Sequence, residues 1–378
     1  RIAIIDTGIG RGPAEFDGAV VDGIDVSGTG ASDGRMPVGA VDANHGSWVA
    51  SLAAGRGTGG GRGMIGVAPE AQLLSISVGF GATTTKPFTE QIAEAMRWAV
   101  DQGATVINLS LTTNTLEWDR SWDDAFLYAF EKDVVVVVAA GNRGSGTERV
   151  GAPATIPGVL AVGGVSPSGT ASNSASTQGI TIGISAPSER LLGVSANGTL
   201  VQWNGTSGAA PLVAGIAALV RAAHPDMDAD NVLNRLIRTT TPAAAGTPGT
   251  QDPLYGYGLV NAAAAVAANV PTVSENPLGD LADWIRVYRR ADAPQPTEAP
   301  SATPVEIPPL PPVDAAPQAG SPFLPSRDSV LYGSLPLAGA TLAAIMIALG
   351  VSAAARRIRQ ARTFREPSRT INEESLPS

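Results

Sequence analysis

A three-layer α/β/α domain built around a mostly parallel sheet is the fold class this sequence predicts. Three observations carry the prediction. Five runs are continuously apolar over strand length, the pattern of strands buried on both faces. Apolar residues at helical spacing recur between them, and such alternation gives parallel strands joined by right-handed crossovers. Beyond residue 269 the alternation stops, and the chain turns first proline-rich and then uniformly apolar.

The elements follow in order. The strands are expected in "RIAIID" from Arg1, "QLLSISV" from Gln72, "TVINLSL" from Thr105, "DVVVVVAA" from Asp133 and "VLAVGGV" from Val159. Between the second and third, Ile92, Met96, Ala99 and Val100 form a helical stripe that Gly103 ends. "SWDDAFLYAFEKD" follows the third strand, with Ser121 and Asp124 spaced as a capping box. A last helix runs through "SGAAPLVAGIAALVRAA", striped by Leu212, Val213, Ile216, Leu219 and Val220, and must end before Pro225. In open α/β sheets, functional groups gather beyond the carboxyl ends of the strands. Asp6, Ser110 and Asn142 all fall there.

Composition narrows the chemistry. The 378 residues contain no cysteine, which removes disulfides, thiolate nucleophiles and thiolate-held metals. A net charge of −9 argues against nucleic acid, whose phosphates need a basic surface. "GRGTGGGRGMIG" matches a dinucleotide-binding glycine pattern twice, but a helix precedes it and Pro69 follows. A phosphate cradle needs a strand before and a helix after, so a surface loop is expected instead.

The C-terminal third is organised differently. A short connecting segment (270–292) contains the amphipathic "DLADWIRVYRR", which either folds back on the domain or lies at a surface. Residues 293–326 hold eleven prolines, so 293–328 read as an extended linker. Residues 329–355 contain no charge and are long enough to cross a bilayer as a helix. Six arginines and three acids follow in 356–378, so the positive-inside rule places that basic tail in the cytoplasm and the large domain outside. An exported domain needs a leader, and the sequence opens at Arg1 directly on a strand, so a processed or incomplete N-terminus is expected.

Only two histidines occur. His224 stands at a helix end beside Pro225. His45 stands in "NHGSWVAS", among small residues, and is the candidate base. Asp6 closes a buried strand, where a carboxylate needs hydrogen-bond donors; it serves either a turn or the orientation of a histidine. Ser207 opens a helix behind Gly205-Thr206, as a helix cap or as a nucleophile. The small residues around it, Gly205, Gly208 and Ala209, mean either that the backbone packs tightly there or that something outside the protein must come close to the hydroxyl oxygen. Asn142 ends the valine-rich strand with an amide free to donate.

"AIIDTGIG", "NHGSWVAS", "AAGNRG" and "NGTSGAAPLVAG", in that order, resemble the four boxes of subtilisin-like serine proteases, peptidase family S8, over residues 1–268. The resemblance implies a subtilisin-like catalytic domain over 1–269 that hydrolyses peptide bonds with a catalytic triad of Asp6, His45 and Ser207. It implies an oxyanion donor in Asn142. Ser110, Leu111 and Thr112 would form one wall of the first specificity pocket, and Ala139, Ala140 and Gly141 the other. Thr112 stands where glycine is common and would narrow the pocket, and Arg143 stands where it could repel basic substrates. No cofactor is implied, and no metal site is carried over. The layout, with linker, single span and basic tail, is similar to the mycosins, membrane-anchored subtilisin-like proteases associated with type VII secretion. That adds an alternative expectation: a structural component of a membrane secretion complex, with proteolysis secondary. Expected partners are therefore a protein or peptide substrate, the lipid bilayer and such a complex.

Overall fold

The five apolar runs all lie in one sheet, and two strands with weaker patterns complete it. The computed structural model describes residues 1–39, 43–80, 84, 86–243, 249–289 and 329–363. In chain order the strands are β1 (Ile2–Asp6), β2 (Val20–Asp25), β3 (Leu73–Ser77), β4 (Val106–Leu109), β5 (Val135–Ala139), β6 (Leu160–Val165) and β7 (Ile182–Pro187). They are arranged β2-β3-β1-β4-β5-β6-β7, with every neighbouring pair parallel. A separate antiparallel hairpin consists of β8 (Leu191–Val194) and β9 (Leu200–Trp203).

Strand alternation sorts the helices into two layers. On one face Ala3, Ile5, Ile107, Val136 and Val138 pack with α2 (Phe88–Asp101) and α3 (Ser121–Glu131). On the other, Ile2, Ile4, Val106, Val135 and Val137 pack with α1 (His45–Ala54), α4 (Thr206–Ala223), α5 (Ala229–Arg238) and α6 (Ala262–Ala267). The stripe expected on α2 is the buried one: Ile92 and Met96 are fully enclosed, each contributing roughly 1.5–3 kcal/mol by leaving water. Gly103, at φ +73°, ends that helix in the left-handed conformation.

One expectation is corrected here and one open choice is settled. The start of α3 is not a Ser121–Asp124 capping box: Ser121 is already helical, and the Asp119 carboxylate accepts its N–H at 2.9 Å. The amphipathic segment forms α7 (Leu281–Tyr288) and folds back, with Leu281 buried and Trp284 against Trp118 at 4.4 Å between ring centroids. The glycine-rich "GRGTGGGRGMIG" is a surface hairpin loop, bridged at Arg56–Ile65 and Gly59–Arg62, with its tip glycines in open space.

The described residues up to 289 belong to one compact unit and those from 329 onward to a second. In the second, α8 (Leu335–Thr363) starts later and runs further than the expected 329–355 span; Ser329–Ser334 form a π-helical turn before it. Over 335–359 it is long and apolar enough to cross a membrane, with none of that stretch buried, whereas the similarly apolar α4 is mostly buried in the core. The linker at 293–328 and the tail beyond residue 363 lie outside the described residues.

Candidate active site

β1 lies between β3 and β4, so the chain leaves it toward one edge of the sheet and later returns on its other side. Crevices form at such a reversal. The same alternation that buries Ile2 and Ile4 toward α1 puts Asp6 on the α1 face at the end of β1. Its carboxylate is fully buried. His45, the first residue of α1, meets it there: Nδ1 lies 2.8 Å from Oδ1 and 3.0 Å from Oδ2. The Thr7 N–H donates to Oδ1 at 2.7 Å, so the buried carboxylate has more than one donor. A histidine whose Nδ1–H is held by a carboxylate keeps Nε2 as its basic nitrogen.

The first turn of α1 is laced to the loop after β1. The Thr7 hydroxyl donates to the Ala43 carbonyl and accepts the Gly46 N–H, both at 2.8 Å. The Gly10 N–H donates to Ser47 Oγ at 2.9 Å. A Cβ on Gly46 would lie 2.6 Å from the Gly8 carbonyl oxygen, so only glycine permits this approach. The ring of His45 also stands edge-on to Trp203 at 5.6 Å and to Trp48 at 6.2 Å.

Ser207 is the second residue of α4, whose central position brings it to the ends of β4 and β5. Its hydroxyl donates to the Ser110 carbonyl at 3.2 Å, and its backbone N–H belongs to the helix's first turn, where no intrahelical acceptor exists. Asn142 follows β5. Its Oδ1 accepts the Thr206 N–H at 2.8 Å and the Thr206 hydroxyl at 3.0 Å. A backbone donor at that distance identifies the atom as oxygen, which leaves Nδ2 as the outward donor. Gly205, at φ +148°, places Thr206; a Cβ on it would come within 3.2 Å of Asn142 Nδ2.

His45, Ser207 and Asn142 line one cavity of about 260 Å3. Ser110, Leu111, Thr112, Ala139 and Gly141 line the same cavity. Ala140 does not line it: the alternation of β5 turns its side chain to the α2–α3 face, where it is fully buried. The smallness of Gly208 and Ala209 also has another cause than substrate approach. A Cβ on Gly208 would lie 2.3 Å from Leu191 Cδ1, and Ala209 is enclosed in the core, so both serve the packing of α4. Arg143 donates to the carbonyls of Ser172 and Asn173. His224 caps the end of α4 and lies 2.9 Å from the Val266 carbonyl oxygen through Nε2.

Several participants were not singled out from sequence. Thr7 and Thr206 are ordinary in composition, and their roles follow only from two-sided hydrogen bonding. Phe80 lines the cavity from the loop after β3. Trp203 sits on a hairpin whose "SANG" turn (195–198) was a legible signal.

The sheet order and the aspartate, histidine and serine at its carboxyl edge define the class: an α/β domain of the serine peptidase type. More particularly, the chain belongs to the subtilase family of S8 peptidases, whose family model matches residues 1–258. It is 34% identical over 275 residues to the "Thermophilic serine proteinase" of Bacillus sp. (strain AK1), covering 70% of this chain and 61% of that protein. It is 32% identical over 311 residues to Mycosin-4 of Mycobacterium tuberculosis (strain ATCC 25618 / H37Rv), covering 71% and 65% respectively. The chain thus spans less than two thirds of the length of either relative. Among solved structures, the MycP3 protease from the type VII (ESX-3) secretion system superposes with a TM-score of 0.59 at 34% identity, covering 71% of this chain and 82% of that one.

Proposed function

We propose that this chain is a serine endopeptidase that cleaves peptide bonds through an acyl-enzyme. The observation that carries the reading is the Asp6–His45 pair: Nδ1 faces both carboxylate oxygens, while the same imidazole lines a cavity with Ser207. In the proposed reaction Ser207 Oγ attacks the scissile carbonyl carbon and His45 Nε2 takes its proton. The carbonyl oxygen becomes an oxyanion held by Asn142 Nδ2 and the Ser207 N–H. The C–N bond then breaks, and His45 returns the proton to the leaving amine. Water repeats the sequence on the ester, with His45 again as base, and frees the acid and Ser207. Asp6 fixes the tautomer and stabilises the imidazolium. The chemistry uses side chains and backbone throughout.

Cavity chemistry supports a small uncharged residue on the acyl side of the cleaved bond. Among the described lining residues there is no carboxylate, lysine or arginine, and the Thr112 methyl stands 3.1 Å from where a Cβ on Gly141 would be. A fluorophosphonate probe tests the reaction: the full chain should be labelled and a Ser207→Ala variant should not. Folded wild-type protein that resists the probe would refute the reading.

The exposed apolar stretch of α8, which runs into arginines in its last turns, supports a membrane-anchored protease with its catalytic domain outside and its C-terminus in the cytoplasm. Similarity to Mycosin-4 and MycP3 favours a second, compatible role as a component of a type VII-like secretion complex. Purification of the Ser207→Ala chain from membranes separates the two. A large co-purifying membrane complex supports the structural role, and an exclusively monomeric chain counts against it.

A further inference from the structure

Pro211 lies inside α4, four residues after Ser207. In an uninterrupted helix the N–H of residue 211 would donate to the Ser207 carbonyl; proline has none, so that carbonyl is left open within the first turns. It is not left unpaired. The Ser110 hydroxyl, reaching across from the end of β4, donates to it at 2.8 Å. Ser110 Oγ in turn accepts Asn108 Nδ2 at 2.9 Å, which directs the hydroxyl proton toward Ser207. Alternation explains how the three meet: Val106 faces α4, so Asn108 and Ser110, two and four residues on, face it too. Ser110 closes the loop from the other side, because its own carbonyl accepts the Ser207 hydroxyl at 3.2 Å. Asn108 is fully buried and its Oδ1 has no hydrogen-bond partner among the described residues, an arrangement that packing alone does not favour.

Resting on the serine-peptidase reading, we infer that Ser110 is a positioning residue for the nucleophile: its hydroxyl replaces the N–H that Pro211 lacks. The Ser207 peptide group is thereby tied to the strand end that also lines the cavity. This link sets both the Ser207 hydroxyl and the Ser207 N–H relative to the bound carbonyl. Without it, the open carbonyl is free to tilt toward water and carry the nucleophile with it.

The test uses the full-length chain in detergent, with fluorophosphonate labelling rates and kcat and KM on a fluorogenic alanyl peptide. Ser110→Ala should lower both the labelling rate and kcat by about tenfold with KM within about twofold, since misplacement rather than lost binding is involved. Ser110→Thr, which keeps the hydroxyl, should restore most of the rate. The decisive comparison is Ser110→Ala with Pro211→Ala. There the new N–H at 211 can take the Ser207 carbonyl, so the double variant should lie within about threefold of Pro211→Ala alone. Wild-type rates in Ser110→Ala would overturn the inference, and so would an equal loss in both backgrounds. If Ser110→Ala does not fold, its failure to be rescued by Pro211→Ala overturns it as well. A wild-type chain that is not labelled at all instead refutes the peptidase reading.

Discussion

Thr206 holds Asn142 with both of its donors. The Asn142 carboxamide oxygen accepts the Thr206 N–H and hydroxyl, and the same hydroxyl accepts the Gly141 N–H at 3.0 Å. The amide that is proposed to meet the oxyanion therefore has its orientation set from behind, by a residue that is itself fully buried. Thr206→Val keeps the shape but removes two of these hydrogen bonds and leaves the Gly141 N–H unpaired. The expected result is a fall in kcat of about ten- to a hundredfold at nearly constant KM, smaller than the roughly 10²–10³ expected for Asn142→Ala. Steady-state kinetics on one peptide substrate checks the ranking, and Thr206→Ser should stay near wild type.

The Asp6–His45 contact makes a sharper prediction. In Asp6→Asn, the amide oxygen is required where the Thr7 N–H donates, so the NH2 group takes the Oδ2 position, 3.0 Å from His45 Nδ1. The oxygen is still 2.8 Å from Nδ1, but the two-oxygen contact and the negative charge are lost, so the Nδ1–H tautomer is held less firmly and the imidazolium is no longer stabilised. Turnover should fall by about 10⁴ while the buried shape is kept. Unchanged near-ultraviolet circular dichroism with loss of fluorophosphonate labelling is the expected pair of results.

Pocket width is testable at Thr112. Wild type should prefer alanine or serine over phenylalanine on the acyl side of the cleaved bond. Thr112→Gly removes a methyl that lines the cavity beside Gly141 and should raise phenylalanine cleavage by about tenfold or more relative to alanine. A peptide series varied at that one position decides it: a wild type that already prefers phenylalanine shows the pocket to be open.

Much of this arrangement was legible because the candidate site residues sit at the ends of strongly patterned strands. Asp6 closes "RIAIID" and Asn142 follows "VVVVVAA", and both runs read as buried without ambiguity. The strands missed were β2 and β7–β9. "VVDGID" is a half-exposed edge strand carrying two aspartates and a glycine, and "IGISAP" mixes small residues with proline, so neither shows a clean period. Ala140 is misplaced for a related reason. Proximity in sequence to Gly141 says nothing about which side of a strand a Cβ takes, and Gly208 answers a packing need on α4 that its nearness to Ser207 does not reveal. The pairing of Ser110 with the carbonyl opposite Pro211 needs two elements about a hundred residues apart, and only their packing brings it into view.

The return of α7 to the domain rests on a small node that can be broken. Arg289 Nη2 lies 3.0 Å from Asp123 Oδ1, which also accepts Trp118 Nε1 at 2.7 Å, and the guanidinium lies over the Trp118 and Trp284 rings. Asp123 is largely buried. Arg289→Met would leave its charge uncompensated and should lower stability by about 3 kcal/mol. Trp284→Ala should have a smaller effect, about 2 kcal/mol, because the ring is partly exposed. Urea unfolding of both variants gives the order, and a Trp284→Ala loss larger than that of Arg289→Met would show that ring packing dominates the node.

Asp230 carries a pH-dependent prediction. Its carboxyl is raised above the ordinary aspartate range, first by burial and then by the charge of Asp228, with Asp133 and Asp280 adding and a hydrogen bond to Asn276 opposing. The folded chain therefore binds this proton more tightly than the unfolded chain. Stability linked to Asp230 is fully present below the unfolded value, about 3.9, and is lost as pH rises through the raised folded value. Asp230→Asn keeps a partner for Asn276 and removes the charge, so its thermal midpoint should exceed wild type at pH 7. The two midpoints should converge as pH falls toward 3.5, where wild-type Asp230 is itself mostly neutral. Added salt should narrow the gap at pH 7 by screening the aspartates around it. A shift of equal size at both pH values would place the effect in packing, and a lower midpoint at pH 7 would mean that the charged form is favoured in the fold.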